Sequence, residues 1–390
     1  MKAIRTLRST DRPRRRLGLA VALATALAAS ACGNAPATTS SPASSSGAAV
    51  SAATATSAKA LGGMDALVAA AKKEGTLNVI ALPPDWTNYA EMISSFQSKY
   101  GIKINSAQPD GSSQDEINAA KQLKGTDRAP DVFDLGAAVA TANVAMFAPY
   151  QVSTWDDIPA QLKEPTGAHV SDYGGYMSIG YDASKVPAPT TVADLLKPEY
   201  KGKVALNGDP TTAGAAFNGV VMASLGSGGS ADDISKGVDF FGQLKKAGNF
   251  LPVDPSPATI AAGQTPVVID WDYTNAAQTS KLKGSKDWKV VVPSGAVVGA
   301  YYQQAINKDA PHPAAARLWQ EYLYSDAGQN VWLKGFGRPV RADVMAKAGT
   351  IDKAAFGALP QAEGSAVFLT EAQTSKAKTY LAANYAKAVS

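Results

Sequence analysis

Cysteine and histidine are almost absent from this chain of 390 residues: one cysteine, Cys32, and two histidines, His169 and His312. A single cysteine excludes an intramolecular disulfide, and with two histidines it is too few for a Cys/His zinc site. A histidine general base has only two candidate positions, one of them locked between Pro311 and Pro313. No segment reaches 18 uninterrupted apolar residues, the length that reads as a membrane-spanning helix. An excess of charge is missing as well. The chain has 37 Lys and Arg against 33 Asp and Glu, but seven of the basic residues and one acid fall in residues 1–32. The remaining 30 basic and 32 acidic residues do not make the basic surface of a nucleic-acid binder. No fixed-period repeat is evident. With 45% hydrophobic residues the chain is globular in composition, and its length suggests two domains.

Enzyme motifs are also scarce. A serine–lysine spacing occurs at Ser280 to Lys283 and again at Ser375 to Lys378, with no Lys-Thr-Gly to accompany it. Gly226 to Gly229 is glycine-rich but lacks the Gly-Lys-Ser/Thr of a phosphate loop. No cofactor and no metal are expected, and an enzymatic role is not. A hydrolase or a non-transport surface lipoprotein stays as the remote alternative.

What is present begins at the N-terminus. Residues 1–16 are basic, Leu17 to Ala29 is a short apolar run, and Ser30-Ala31-Cys32 closes it with small residues. The pattern is that of a secretory signal peptide over residues 1–31. The cysteine placement resembles the lipobox of bacterial lipoproteins, which implies lipidation of Cys32. An ordinary signal peptide with an incidental cysteine, and export by the twin-arginine route, remain open. Gly33 to Ala60 is nearly all Ala, Ser, Thr, Pro and Gly, with Lys59 its only charge. Such a segment reads as a flexible tether, residues 32–60, on the extracytoplasmic face of the membrane.

The body alternates strands and helices. Residues 76–82 read as a strand, after which Pro83-Pro84 breaks it and Asp85 can cap a helix. Tyr89, Met92, Ile93, Phe96 and Tyr100 share one helical face that Gly101 ends. Strands follow at 102–105 and 131–135, with Ser113 and Glu116 spaced as a capping box between them. Further strands are expected at 175–181, 203–206, 266–270, 288–292 and 300–306. Helices are expected over about 213–224 and on the face carrying Ala315, Leu318, Trp319, Tyr322 and Leu323. The alternation predicts an α/β fold with largely parallel sheets.

Four stretches in this order resemble the type II periplasmic solute-binding proteins of ABC importers, in the branch of spermidine/putrescine and ferric-iron binders. They are Asp85 to Tyr89; Tyr181 to Val186 with Asp194 to Val204; Val267 to Asp272; and Ala305 to Ala316 running on to Gln329. The resemblance implies two lobes joined by crossing strands, lobe 1 being 61–177 plus 304–390 and lobe 2 being 178–303. Each lobe would be a mostly parallel sheet flanked by helices. It also implies a monomeric receptor that captures a small solute in the cleft and delivers it to the membrane subunits of a permease.

Ligands of open α/β sheets sit outside the carboxyl ends of strands. The loops there bring forward Asp85, Trp86, Ser113, Gly136, Thr211, Thr212, Trp271, Asp272 and Tyr273. Acids beside aromatic faces suit an ammonium group, giving a polyamine-like organic cation as the first expectation. Trp86 and Trp271 would be the walls, with Asp85 and Asp272 the cation partners, although Asp270 competes with Asp272 for the cleft-facing position. Against this, Trp271 suits a core, and the serine and threonine pairs suit plain caps. Tyr176 and Tyr301 complete the candidate set. On a strand Tyr301 and Tyr302 point to opposite faces, so only one is expected in the cleft. The Ser112-Ser113 and Thr211-Thr212 pairs, at expected helix starts, also suit an anion such as a phosphonate, and the tyrosines suit ferric iron.

Overall fold

A computed structural model describes residues 50–390 of the chain. Cys32, the signal peptide and most of the expected tether lie outside the described residues.

The first half contains α1 (Met64–Glu74), β1 (Thr76–Ile80), α2 (Tyr89–Tyr100), β2 (Lys103–Ala107), α3 (Ser113–Gln122), β3 (Val132–Gly136), α4 (Ala137–Ala142), β4 (Phe147–Ala148) and β5 (His169–Asp182). Then come β6 (Val204–Leu206), α5 (Gly214–Gly226), α6 (Ser235–Ala247), α7 (Pro257–Ala261), β7 (Val267–Trp271), α8 (Asp272–Lys281), β8 (Trp288–Val291) and β9 (Gly299–Asn307). The last part holds α9 (Pro313–Leu323), α10 (Asp326–Lys334), β10 (Arg338–Pro339), α11 (Ala342–Ala348), α12 (Lys353–Gly357) and α13 (Glu371–Val389). The apolar face read for α2 is its buried face: Tyr89, Met92 and Phe96 are fully covered, and Gly101 ends the helix at φ 69°.

The sheets are mixed rather than largely parallel. β1 pairs with β2 and β6 with β7 in parallel, whereas β3–β9, β5–β9, β5–β7 and β5–β8 are antiparallel. The reason is β5 and β9. These long strands run in opposite directions through the middle of one eight-stranded sheet, so every strand beside them inherits a neighbour of opposite sense.

Two large hydrophobic cores lie along these strands. Val170 and Tyr173 of β5 belong to the first core, with α1, α2 and α9; Met177, Ile179 and Tyr181 belong to the second, with α5 and α6. The chain therefore passes between lobes at Gly174-Gly175. A Cβ on Gly174 would lie 2.5 Å from Ala300 O, and one on Gly175 would lie 2.5 Å from Asp272 Oδ1, so neither position admits a side chain without a shift.

Four further expectations change. The tether does not extend to Ala60, because Ala55 and Ala58 are buried. The buried Arg317 guanidinium of α9 donates to Ala55 O at 2.8 Å and Ala53 O at 3.0 Å, and a buried cation needs such acceptors. The C-terminal helix α13 does not join the first lobe: Ala377, Leu381 and Tyr385 pack into the second core. Finally, Asp85 does not cap α2, whose N-cap is Asn88 at φ 68°, and the capping box of α3 pairs Ser112 with Asp115 instead of Ser113 with Glu116.

The histidine between two prolines is structural. His312 Nδ1 lies 2.9 Å from Asp131 Oδ2 and its backbone N–H donates to Asp131 Oδ1 at 2.7 Å. The hydrogen bond to Asp131 raises its pKa above the ordinary value, against an opposing effect of burial. A histidine whose folded pKa is raised stabilises most at pH below about 6.5 and loses that contribution as pH rises through the folded value. Thermal denaturation of wild type and His312→Gln should therefore differ by about 1–2 kcal/mol at pH 5.5, and the gap should shrink by pH 9. A gap that is constant with pH would show that the imidazole charge plays no part.

Candidate ligand-binding cleft

A cavity of about 850 Å³ opens between the two cores, within the range of small-molecule sites. Its walls come from strand ends and the turns after them: the 83–87 loop after β1, the start of α3, the β3–α4 turn, the 210–214 loop before α5, and the β7–α8 junction. Nine of the expected residues line it: Asp85, Trp86, Ser113, Gly136, Thr211, Thr212, Trp271, Tyr273 and Tyr301. Both Tyr301 and Tyr302 line it, although strand alternation allowed only one.

Asp272 and Tyr176 do not line the cavity. β7 ends at Trp271, so Asp272 is the first residue of α8 and turns away into the hinge. There it accepts from Arg338 Nη2 at 2.9 Å and from the Tyr176 backbone N–H at 2.9 Å, while the Arg338 guanidinium sits 4.2 Å above the Tyr176 ring. Burial pushes the Asp272 pKa up, and Arg338 opposes that shift. This ion pair joins β10 to α8 at the crossing point. Asp270, one residue back from the strand end, takes the cleft-lining position instead.

Trp86 packs against both cores. Its ring lies edge-on to Tyr273 at 5.5 Å and to Tyr302 at 5.9 Å, and its Nε1–H donates to Tyr173 OH at 2.7 Å. Trp271 stacks on Tyr273 at 6.1 Å and 11° while also packing into the second core. Asp85 is not free: its Oδ2 accepts from Lys281 of α8 at 3.1 Å, an exposed pair. Exposed pairs of this kind contribute little, about 0–1 kcal/mol. Ser113 Oγ accepts from the Gly136 N–H at 3.0 Å, holding the β3–α4 turn against α3. Thr211 is tied to Asp209 by its own hydroxyl at 2.7 Å.

Reading by loop position weighed Asp270 of β7 only against Asp272, and it missed Asp134 of β3 and Glu116 of α3 as cleft residues. Asp134 of β3 and Asp270 of β7 both sit within apolar runs, and an ionisable residue in such a run was the available signal. Both line the cavity with Glu116 of α3. All three are buried, and none has a Lys or Arg partner within salt-bridge distance among the described residues. Asp134 Oδ2 accepts from Tyr89 OH at 2.7 Å and Tyr173 OH at 3.1 Å, and its N–H donates to Glu116 Oε2 at 2.9 Å. Asp134 Oδ1 has no partner, and neither do Thr87 Oγ1, Tyr273 OH and Thr274 Oγ1 on three further lining residues.

Burial sets the protonation here. It raises Asp134 to about 7, with the Tyr89 and Tyr173 hydroxyls holding it down. It raises Asp270 to about 7, against the pull of Asn207 and the Trp271 N–H. Glu116 is raised well above the carboxylate range by burial and then by Asp134, and Asp172 behind it likewise. The cleft is thus a chamber with aromatic walls over carboxyl groups that lack a countercharge.

Residues 131–363 match the family of bacterial extracellular solute-binding proteins, more than half of the chain. Solved structures agree on the architecture. Iron-bound HitA from Pseudomonas aeruginosa is 19% identical with a TM-score of 0.58, over 80% of this chain and 99% of that one. AfuA from Actinobacillus pleuropneumoniae, with fructose-6-phosphate bound, is 15% identical with a TM-score of 0.59, over 80% and 98%. AgtB from A. tumefaciens R10, in complex with agropinic acid, is 14% identical with a TM-score of 0.61, over 80% and 98%. The fold is that of the type II periplasmic binding proteins, two α/β lobes about a cleft. This chain belongs to the bacterial extracellular solute-binding protein family.

The hinge ion pair gives a test. Arg338→Met leaves Asp272 buried with no cation, which should lower stability by about 3 kcal/mol in urea denaturation at pH 7. Adding Asp272→Asn to that variant should restore part of the loss. A single variant as stable as wild type would rule out a role for the pair in holding the hinge.

Proposed function

We propose that the protein is a receptor for a small organic cation of the polyamine type, captured between the lobes and passed to the permease of an ABC importer. In this reading it acts as a monomer without catalysis of its own, and lipidation of Cys32 holds it at the outer face of the cell membrane. The observation that carries the ligand class is the set of buried, uncompensated carboxyl groups, Asp134, Asp270 and Glu116, lining an aromatic-walled cavity. An ammonium group supplies the missing countercharge and donates to Asp134 Oδ1, while the faces of Trp86, Trp271 and Tyr302 contribute cation–π attraction. Of the site expected from sequence, Trp86 and Trp271 keep their role as walls, with Ser113, Gly136, Thr211, Thr212, Tyr273 and Tyr301 as further lining. Asp270 and Asp134 take over the cation-partner role from Asp272 and Asp85.

A second reading is ferric iron. It is favoured by one observation, the unpartnered Tyr273 phenol on a wall it shares with Tyr302, Asp134 and Asp270. Phenolate and carboxylate oxygens are the ligands a hard cation takes.

The pH dependence separates these claims from a neutral or anionic ligand. Asp134 and Asp270 are raised to about 7, so both are largely protonated at pH 5.5 and largely charged at pH 8.5. Calorimetric titration with putrescine and spermidine should show affinity rising at least tenfold across that range, with protons released on binding. Asp134→Asn should weaken binding a hundredfold or more at pH 8. Because a raised carboxyl pKa means that charging the buried group opposes folding, the unliganded variant should be no less stable than wild type at that pH. Affinity that is flat with pH, or untouched by Asp134→Asn, would sink the cation reading. Binding of ferric citrate alone would favour the second.

A further inference from the structure

After α12 the chain leaves the neighbourhood of the first core and runs to α13 on the second. Leu359 belongs to a small cluster with Leu333 and Met345, and Leu381 to the second core. The strap between them, residues 360–370, crosses the hinge. Val367 fixes it to the start of β9: its N–H donates to Val297 O at 2.9 Å, and its carbonyl accepts from the Gly299 N–H at 3.0 Å. The next residue, Phe368, lines the cavity. Its ring stacks on Tyr301 at 5.8 Å and 30°, close over Gly299, where a Cβ would meet it at 2.5 Å. Phe368 is nevertheless 45% exposed, the most exposed of the chain's large hydrophobic residues among those described. Leu369, Thr374 and Lys378 line the same wall.

A phenylalanine stacked on a cleft tyrosine, with the rest of its surface open to water, is a poor core residue and a good ligand wall. The family match ends at residue 363, five residues before Phe368. We propose that Phe368 is a ligand-contacting residue of the cleft, and that the C-terminal strap carrying it sets which carbon skeleton the site accepts. The ring covers the apolar chain of a ligand whose charged group lies at the carboxyl groups, and it extends the aromatic wall begun by Tyr301. The proposal rests on the cleft being the ligand site.

Calorimetric titration of wild type, Phe368→Ala and Phe368→Trp decides it, using spermidine and, in parallel, ferric citrate and fructose 6-phosphate, with melting temperatures of the unliganded proteins measured alongside. The expected result is at least a tenfold loss of affinity in Phe368→Ala, affinity within threefold of wild type in Phe368→Trp, and melting temperatures within about 2 °C. Equal affinity in wild type and Phe368→Ala overturns the proposal. So does a loss of affinity in Phe368→Ala that Phe368→Trp shares, or that comes with a large fall in melting temperature, since either marks a structural role. A wild type that takes ferric citrate or fructose 6-phosphate in place of spermidine, with the tenfold loss in Phe368→Ala, overturns the cation reading and supports the role of Phe368. Silence toward all three ligands overturns both.

Discussion

Carboxyl groups beneath the cleft, without a basic partner of their own, are the constraint that organises this molecule. Taking a carboxylate out of water is unfavourable by several kcal/mol unless it is paired or neutralised. Asp134 meets this in part through two tyrosine hydroxyls, each placed by the first core: Tyr89 on the buried face of α2 and Tyr173 where β5 leaves that core. Gln304 of β9 links Tyr89 to Asp172, so α2, β3, β5 and β9 are tied to one network. What the network leaves undone is as informative. One carboxylate oxygen, one phenol and two threonine hydroxyls around the cavity are unpartnered, an unusual concentration in a folded protein.

The other acids of the chain show the contrast. Asp272 is as deeply buried as Asp134 but has Arg338, and it serves the hinge. Asp131 has the His312 imidazole and two backbone N–H groups, and it ties β1 and α9 together. Asp272 and Asp131, each with a cationic partner, hold the hinge and the first lobe together, whereas Asp134, Asp270 and Glu116, without one, face the cavity. The division of labour follows from whether a cation or donor set lies within reach, a property of tertiary placement and not of residue type.

Much was legible beforehand where periodicity and local chemistry decide. The helix from Tyr89 to Tyr100 follows from its apolar spacing and the glycine after it. Most strands were read within two residues of their ends, because runs such as Val267 to Ile269 have no local alternative. The cleft loops were legible as well, since strand ends followed by polar turns are where α/β folds place ligands. Strand direction was not. Alternating strands and helices suggested parallel sheets, but β5 and β9 return through both lobes, and the sense of a pairing depends on which strands meet.

The sequence by itself determined the strand and helix inventory, the family likeness and the loops that would surround a site, all of which depend on residues close together in the chain. The tertiary structure alone decided which side chains in those loops enter the cleft. Asp272 was lost to it because β7 stops one residue earlier and a helix starts, which reverses where the side chain points. Asp134 and Phe368 joined it, separated by more than half the chain, because two crossing strands and a C-terminal strap bring them to one cavity. Burial then moved the carboxyl groups to protonation states that no local pattern specifies, since desolvation depends on everything packed around a group.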